Sequence, residues 1–298
     1  MPIRGHAIHI GLNHLCPEAY PEPVPPLGTA EDDAAALAEV TAGAGLAVSV
    51  LRGDAATRAN VLESMEHVAD LAVAGELVVV SFSGHGTRYA GSRIHGNPPE
   101  DYDESWCLYD GFLIADEIYA CLAAFRAGVR VFLLIDSGHD VPRPMVVDLD
   151  APRTRTGPIA LPRLDERGIP LGVRALPVTT AYAAYRRRRR TYNRARRNSQ
   201  AAVRGEVKAC VLALAACSDD QVAIESEFHG CFTAAVLEAW DRGGFDGSHQ
   251  DFAETVAELC PPAQTPVLIH VGAHDDAFIA STPFTLEPPT PSQVAWCQ

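Results

Sequence analysis

Residues 77–86 read Leu-Val-Val-Val-Ser-Phe-Ser-Gly-His-Gly. The first six are apolar or small and rich in branched side chains, the pattern of a parallel strand covered on both faces. The strand ends on Ser83-Gly84-His85-Gly86, a histidine between two glycines. Open α/β sheets form their sites at the carboxyl ends of strands, so His85 stands where chemistry is expected. Taken alone, a histidine at such an end is more often a plain turn residue. A second strand changes the balance. Val129 to Ile135 (VRVFLLI) is equally apolar and ends on Asp136-Ser137-Gly138-His139-Asp140.

Working outward, strand and helix signals alternate. His6–Gly11 and Leu46–Leu51 read as strands. Ala30–Gly43, a helix opened by Thr57 and running to about Val73, and Ala115–Ala127 read as helices. Repeated β-α-β order implies a parallel sheet with right-handed crossovers. From Val141 to about Gly205 the pattern breaks into a proline-rich insertion that ends in an arginine-rich helix over roughly Val178–Ala202. It resumes with a strand over Val207–Ala215, helices over Phe232–Asp241 and Gln250–Leu259, and a strand over Thr265–Val271. The expected organisation is one domain over 1–285, with halves 1–140 and 206–285 around the insertion at 141–205, and a proline-rich tail over 286–298.

The 298 residues can bury a core without staples. Eight scattered cysteines form no Cys-x-x-Cys pair, which argues against zinc ribbons and thioredoxin-like chemistry. No apolar run approaches the ~20 residues that span a bilayer, and no leader is read at Met1–His6, so a cytoplasmic protein without a membrane partner is expected. The net charge of −14 makes nucleic acid an unlikely partner. That charge is uneven, because residues 186–197 (RRRRRTYNRARR) hold eight arginines and no acid.

The motifs together resemble the caspase-like cysteine peptidases, most closely the bacterial metacaspase or orthocaspase branch. Ser83-Gly84-His85-Gly86 resembles the family's histidine motif. Asp103–Gly111 with Ile114–Ile118 resembles the acidic block that follows it. Asp136-Ser137-Gly138-His139 resembles Asp-Ser-Cys-His with glycine at the nucleophile. Ala216–Gln221, Gly230–Thr233 and Gln264–Pro266 resemble the small-subunit region. The resemblance covers about His6 to Phe284. It implies a three-layer α/β/α caspase-hemoglobinase fold with a mostly parallel six-stranded sheet, usually monomeric.

It also implies a reaction. A cysteine in place of Gly138 would attack the scissile carbonyl, His85 would move the protons, and the backbone amides of Gly86 and Gly138 would hold the oxyanion. Without the sulfur this chain is expected to be inactive. Natural decay of the site and a single replacement at 138 fit the sequence equally. Ser137 is the nearest alternative nucleophile. The resemblance gives Asp33 and Asp136 to a pocket for arginine or lysine, with Asp219 and Asp220 beside it. Asp33 reads equally well as an acid in a helix's first turn. The substrate would be a protein or peptide with an exposed Arg or Lys, in bacterial regulated cell death or antiphage defence. The other reading is a non-enzymatic binder of a basic partner.

No cofactor is required by this chemistry. Calcium is an optional ligand by resemblance, on Asp101, Asp103, Glu104 and Asp116. Ala115 and Met145 stand where the family has further acids, and the plain alternative is a solvated acidic loop. Arg186, Arg187, Arg188, Arg189 and Arg190 have three readings: a solvated helix face, the processing site between the halves that the resemblance implies, and, ranked third, a basic arm for an acidic partner or nucleic acid.

Overall fold

The structure is a computed structural model that describes residues 5–90, 102–138, 172–202, 206–218 and 221–286. Six strands form the central sheet: β1 (Gly5–Gly11), β2 (Ala47–Arg52), β3 (Leu77–Ser83), β7 (Arg130–Asp136), β8 (Cys210–Ala215) and β9 (Val267–Gly272). Their spatial order is β2-β1-β3-β7-β8-β9. All neighbours are parallel except β8 and β9, which run antiparallel. The six-stranded, mostly parallel sheet expected from the sequence is therefore present.

Side chains alternate across this sheet, so each strand feeds two cores. Val78, Val80, Phe82, Val131, Leu133 and Ile135 pack on one face with Val61 and Met65 of α2 (Arg58–Leu71) and Ile118 and Leu122 of α3 (Ala115–Ala124). Val79, Phe132, Leu134, Leu212 and Leu214 pack on the other face. There they meet Leu37 of α1 (Ala30–Gly43), Phe232 and Val236 of α6 (Cys231–Trp240), and Phe252 of α7 (His249–Leu259). This two-sided burial is why the central strands read as continuous apolar runs.

A second, antiparallel sheet of three strands, β4 (Gly86–Ala90), β5 (Tyr102–Leu108) and β6 (Gly111–Ile114), grows from the end of β3. The arginine-rich stretch is two helices, α4 (Val178–Arg187) and α5 (Arg189–Ala202), and not one. They pack through stacked rings: Tyr185 on Tyr192, and Tyr192 on Phe112 of β6. The small helix α8 (Asp276–Ile279) follows β9. No described helix is long and apolar enough to cross a membrane.

Candidate active site

β3 and β7 are adjacent and in register, with Ser83 opposite Asp136, so the two polar strand ends lie side by side. Beyond β3 the chain turns at Gly84 and enters β4 at Gly86, which leaves His85 between the sheets. Its ring is buried. Nε2 contacts the carbonyl of Pro25 at 2.9 Å, and Nδ1 is buried without a hydrogen-bond partner. Donation from Nε2 to that carbonyl fixes the tautomer that leaves Nδ1 as a free base. Burial pulls the imidazole's pKa down to about 4, so the ring is neutral near pH 7.

What fills the site is a piece of the same chain. Residues 172–176 run through it as an extended segment. Arg174 N donates to Ala223 O, Leu176 N donates to Gly86 O, and Glu225 N donates to Gly172 O. The carbonyl of Arg174 accepts from two backbone amides, Gly86 N and Gly138 N, each at 2.9 Å. Two converging N–H donors on one carbonyl oxygen are the geometry of an oxyanion hole.

The Arg174 side chain lies fully buried in an acidic pocket. Nη2 pairs with Asp33 Oδ2 at 2.6 Å and Nη1 with Asp136 Oδ2 at 2.9 Å. Nη2 also donates to Thr29 Oγ1 at 2.9 Å, and Nη1 to the Asp136 carbonyl at 3.2 Å. Glu225 stands behind, 3.5 Å from Nη2. Burial opposes the guanidinium's charge, but Asp136 and Asp33 overcome it and raise its pKa further. Burial pushes the Asp136 carboxyl upward, and neighbouring Asp33 adds to this against the pull of Arg174.

Secondary structure explains how the carboxylates are held. Asp33 lies in the first turn of α1, from where its carboxylate reaches Arg174. It also accepts from Gly230 N at 3.1 Å and from His229 Nδ1 at 2.9 Å. Asp136 ends β7 and accepts from the amide and hydroxyl of Thr233 in α6, at 3.1 and 2.6 Å. Glu225 accepts from Gly28 N, Thr29 N and Thr29 Oγ1, which ties the pocket rim to the start of α1. Gly230 is the floor. A Cβ there would lie 2.2 Å from Asp136 Oδ2 and 2.7 Å from the Arg174 guanidinium.

Gly138 is not a glycine by backbone need, because it is absent from the positive-φ residues. A Cβ at 138 would lie 3.2 Å from the Arg174 carbonyl oxygen and 3.0 Å from Ala175 Cβ. A side chain at this position would therefore project onto the Arg174–Ala175 peptide. Ser137 does not substitute for it. Its Oγ and His85 Nδ1 are both buried and both unpartnered, so no serine–histidine hydrogen bond exists.

The other sequence candidates are spread elsewhere. Asp219, Asp220 and Asp101 lie outside the described residues. Asp103 and Glu104 belong to β5, where Glu104 is buried. Asp116 opens α3 and is engaged by Arg196 and Gln200 of α5. Among the described residues no three His, Cys, Asp or Glu side chains gather as a metal site. Arg186 and Arg187 end α4, Arg189 and Arg190 open α5, and Arg188 in the turn between them contacts the Asp110 carbonyl. Sequence reasoning missed Arg174, Glu225, Thr29, Thr233 and the floor glycine. The one available signal was Val173-Arg174-Ala175-Leu176, a lone arginine in an apolar stretch of the insertion.

A family profile described as a caspase domain matches residues 4–270. A crystal structure of a protein from Geobacter sulfurreducens is 33% identical, with a TM-score of 0.78 over 95% of this chain and 99% of that one. The crystal structure of caspase-1 from Spodoptera frugiperda matches at 13% identity and a TM-score of 0.47, over 91% of this chain and 86% of that one. Among curated proteins none matches.

Proposed function

Because the chain belongs to the caspase-domain family, a family of cysteine-type peptidases, we propose that its site is that of an endopeptidase cutting after arginine, with position 138 as the nucleophile's place. In the glycine form the site binds but does not cut. One observation carries this reading: an arginine guanidinium sits on Asp33 and Asp136 while the carbonyl of the same residue sits on the amides of Gly86 and Gly138. Pocket and oxyanion hole are thus at the spacing of a single residue.

The pocket chemistry favours arginine over lysine. Two nitrogens of a planar fork reach two carboxylates, a hydroxyl and a carbonyl at once. A lysine ammonium is a single atom and cannot span them. An aspartate in the same place would face two carboxylates and be rejected. His85 supplies the base in its neutral form, and the Pro25 carbonyl supplies its orientation.

Peptides ending in Arg, Lys or Asp before a fluorogenic group test the reading, with and without calcium. Gly138→Cys should cut after Arg, more weakly after Lys and not after Asp. The glycine chain should be slower by ~10⁴-fold or more, the order expected when a covalent nucleophile is removed. Cleavage by the glycine chain, or a preference for Asp, overturns it. Gly138 itself favours a second reading, a pseudopeptidase that holds an arginine-bearing partner. It takes the lead if neither form cuts while arginine peptides still bind. A role in bacterial cell death or antiphage defence belongs with the peptidase reading. It fails if Gly138→Cys cleaves no protein encoded beside it.

A further inference from the structure

We infer that residues 172–176 are the site's built-in ligand, that Arg174–Ala175 is the bond held for cleavage, and that in the glycine form this uncut strap must leave before an outside arginine peptide can enter. The inference rests on the arginine-peptidase reading and deepens it.

Three independent contacts set the strap in a substrate's register. The side chain of Arg174 fills the acidic pocket. Its carbonyl fills the oxyanion hole. Its backbone is paired on both sides, since Ala175 bridges in parallel to Gly86 and Val173 bridges in antiparallel to Ile224. Addition of an extended segment to strand edges, with one side chain buried in a pocket, is a standard mode of peptide capture. Beyond the bond, Leu176 is buried beside Tyr185 and Tyr192, which anchors the carboxyl side of the strap. The arginine run at 186–190 lies beyond this anchor, in α4, α5 and the turn between them, while the arginine in the pocket is Arg174.

With a cysteine at 138 the chemistry closes. The thiol proton passes to His85 Nδ1 as Sγ bonds to the Arg174 carbonyl carbon. The oxygen's charge falls on the Gly86 and Gly138 amides. The bond to Ala175 N then breaks, with the proton returned from His85 to that nitrogen. Water hydrolyses the thioester, freeing the Arg174 carboxylate and the sulfur. With glycine no step begins, and the strap stays seated.

The test uses the full chain. Purified Gly138→Cys is followed by denaturing mass spectrometry, with its action on arginine peptides measured in parallel. The expected products end at Arg174 and begin at Ala175, and appear at a first-order rate unchanged over a 100-fold dilution. Gly138→Cys with Arg174→Ala should remain uncut there. An intact 174–175 bond, a cut at 186–190 instead, or a rate that falls with dilution overturns the inference. If arginine peptides are cut while 174–175 stays intact, the strap fails and the peptidase reading survives. If nothing is cut, both fail. A binding arm addresses the glycine form: Arg174→Ala should bind a labelled peptide of sequence GVRAL at least tenfold tighter than the parent does. Equal binding would overturn the displacement step. A variant whose circular dichroism shows it unfolded is replaced by Arg174→Gln.

Discussion

At the residue scale the pocket is decided by what cannot be added to it. Gly230 has no side chain, and the guanidinium and the Asp136 carboxylate occupy that space. Gly230→Ala should push Asp136 or Arg174 from position and break a buried ion pair, a loss of about 3–5 kcal/mol. Urea unfolding measures it, and arginine-peptide cleavage by Gly138→Cys should vanish in the same variant. A change below about 1 kcal/mol would mean that the pocket is not built as described. His229 offers a pH-dependent counterpart. Its hydrogen bond to Asp33 raises the imidazole's pKa above the ordinary histidine value, against burial. A raised folded pKa adds stability below the unfolded value of about 6.5, and this is lost as pH rises through the folded one. His229→Ala should therefore cost more stability at pH 5.5 than at pH 8.5. Urea titrations of both proteins at the two pH values give the sign, and a cost independent of pH would remove His229 from the pocket's electrostatics.

Among the elements, α2 and α3 are held to the small sheet by one half-buried cluster. Arg58 meets Glu117 with two nitrogens, at 2.9 and 2.7 Å, and also contacts the Phe112 carbonyl. Glu117 in turn accepts from Ile114 N at the start of α3. Glu117→Ala strips a bidentate partner from Arg58 and uncaps that helix. A loss of about 2–4 kcal/mol is expected by urea unfolding, and a loss below 0.5 kcal/mol would show the pair to be solvent-screened. The elements also show what the sequence could reveal. The central strands were legible because two-sided burial leaves an unbroken apolar run, as in Leu77–Phe82. α1 was legible to the residue from its alanines and the stop at Gly43. The β4–β5–β6 sheet was not, because β5 (Tyr-Asp-Glu-Ser-Trp-Cys-Leu) reads as an acidic loop although Glu104 and Ser105 are buried. Arg174 was the least legible. It sits in a proline-rich stretch without period, and its partners Asp33 and Asp136 are 141 and 38 residues away in sequence. His85 and Gly138, by contrast, follow apolar strands directly, so strand ends gave their positions.

On the scale of the whole molecule, the proposed cut would divide the central sheet between two chains. β1, β2, β3 and β7 would stay with the amino-terminal piece, and β8 and β9 with the other. The junction is the parallel pairing of β7 and β8 from Arg130 opposite Cys210 to Ile135 opposite Ala215. Val131, Phe132, Leu133, Leu134 and Ile135 face Val211, Leu212, Ala213, Leu214 and Ala215 across it, and all are essentially fully buried. At about 1.5–3 kcal/mol for each large apolar side chain, separating the strands would cost of order 10 kcal/mol or more, besides leaving two open edges. Arg174 would remain paired with Asp33 on its own piece, while Gly230 and Thr233 of the other piece still hold both pocket carboxylates. The cut protein should therefore elute from size exclusion where the uncut protein does, and appear in native mass spectrometry as one particle heavier by a single water. Denaturing conditions should release two chains. Separation of the pieces under native conditions would show that the strap, and not the sheet, joins the two halves.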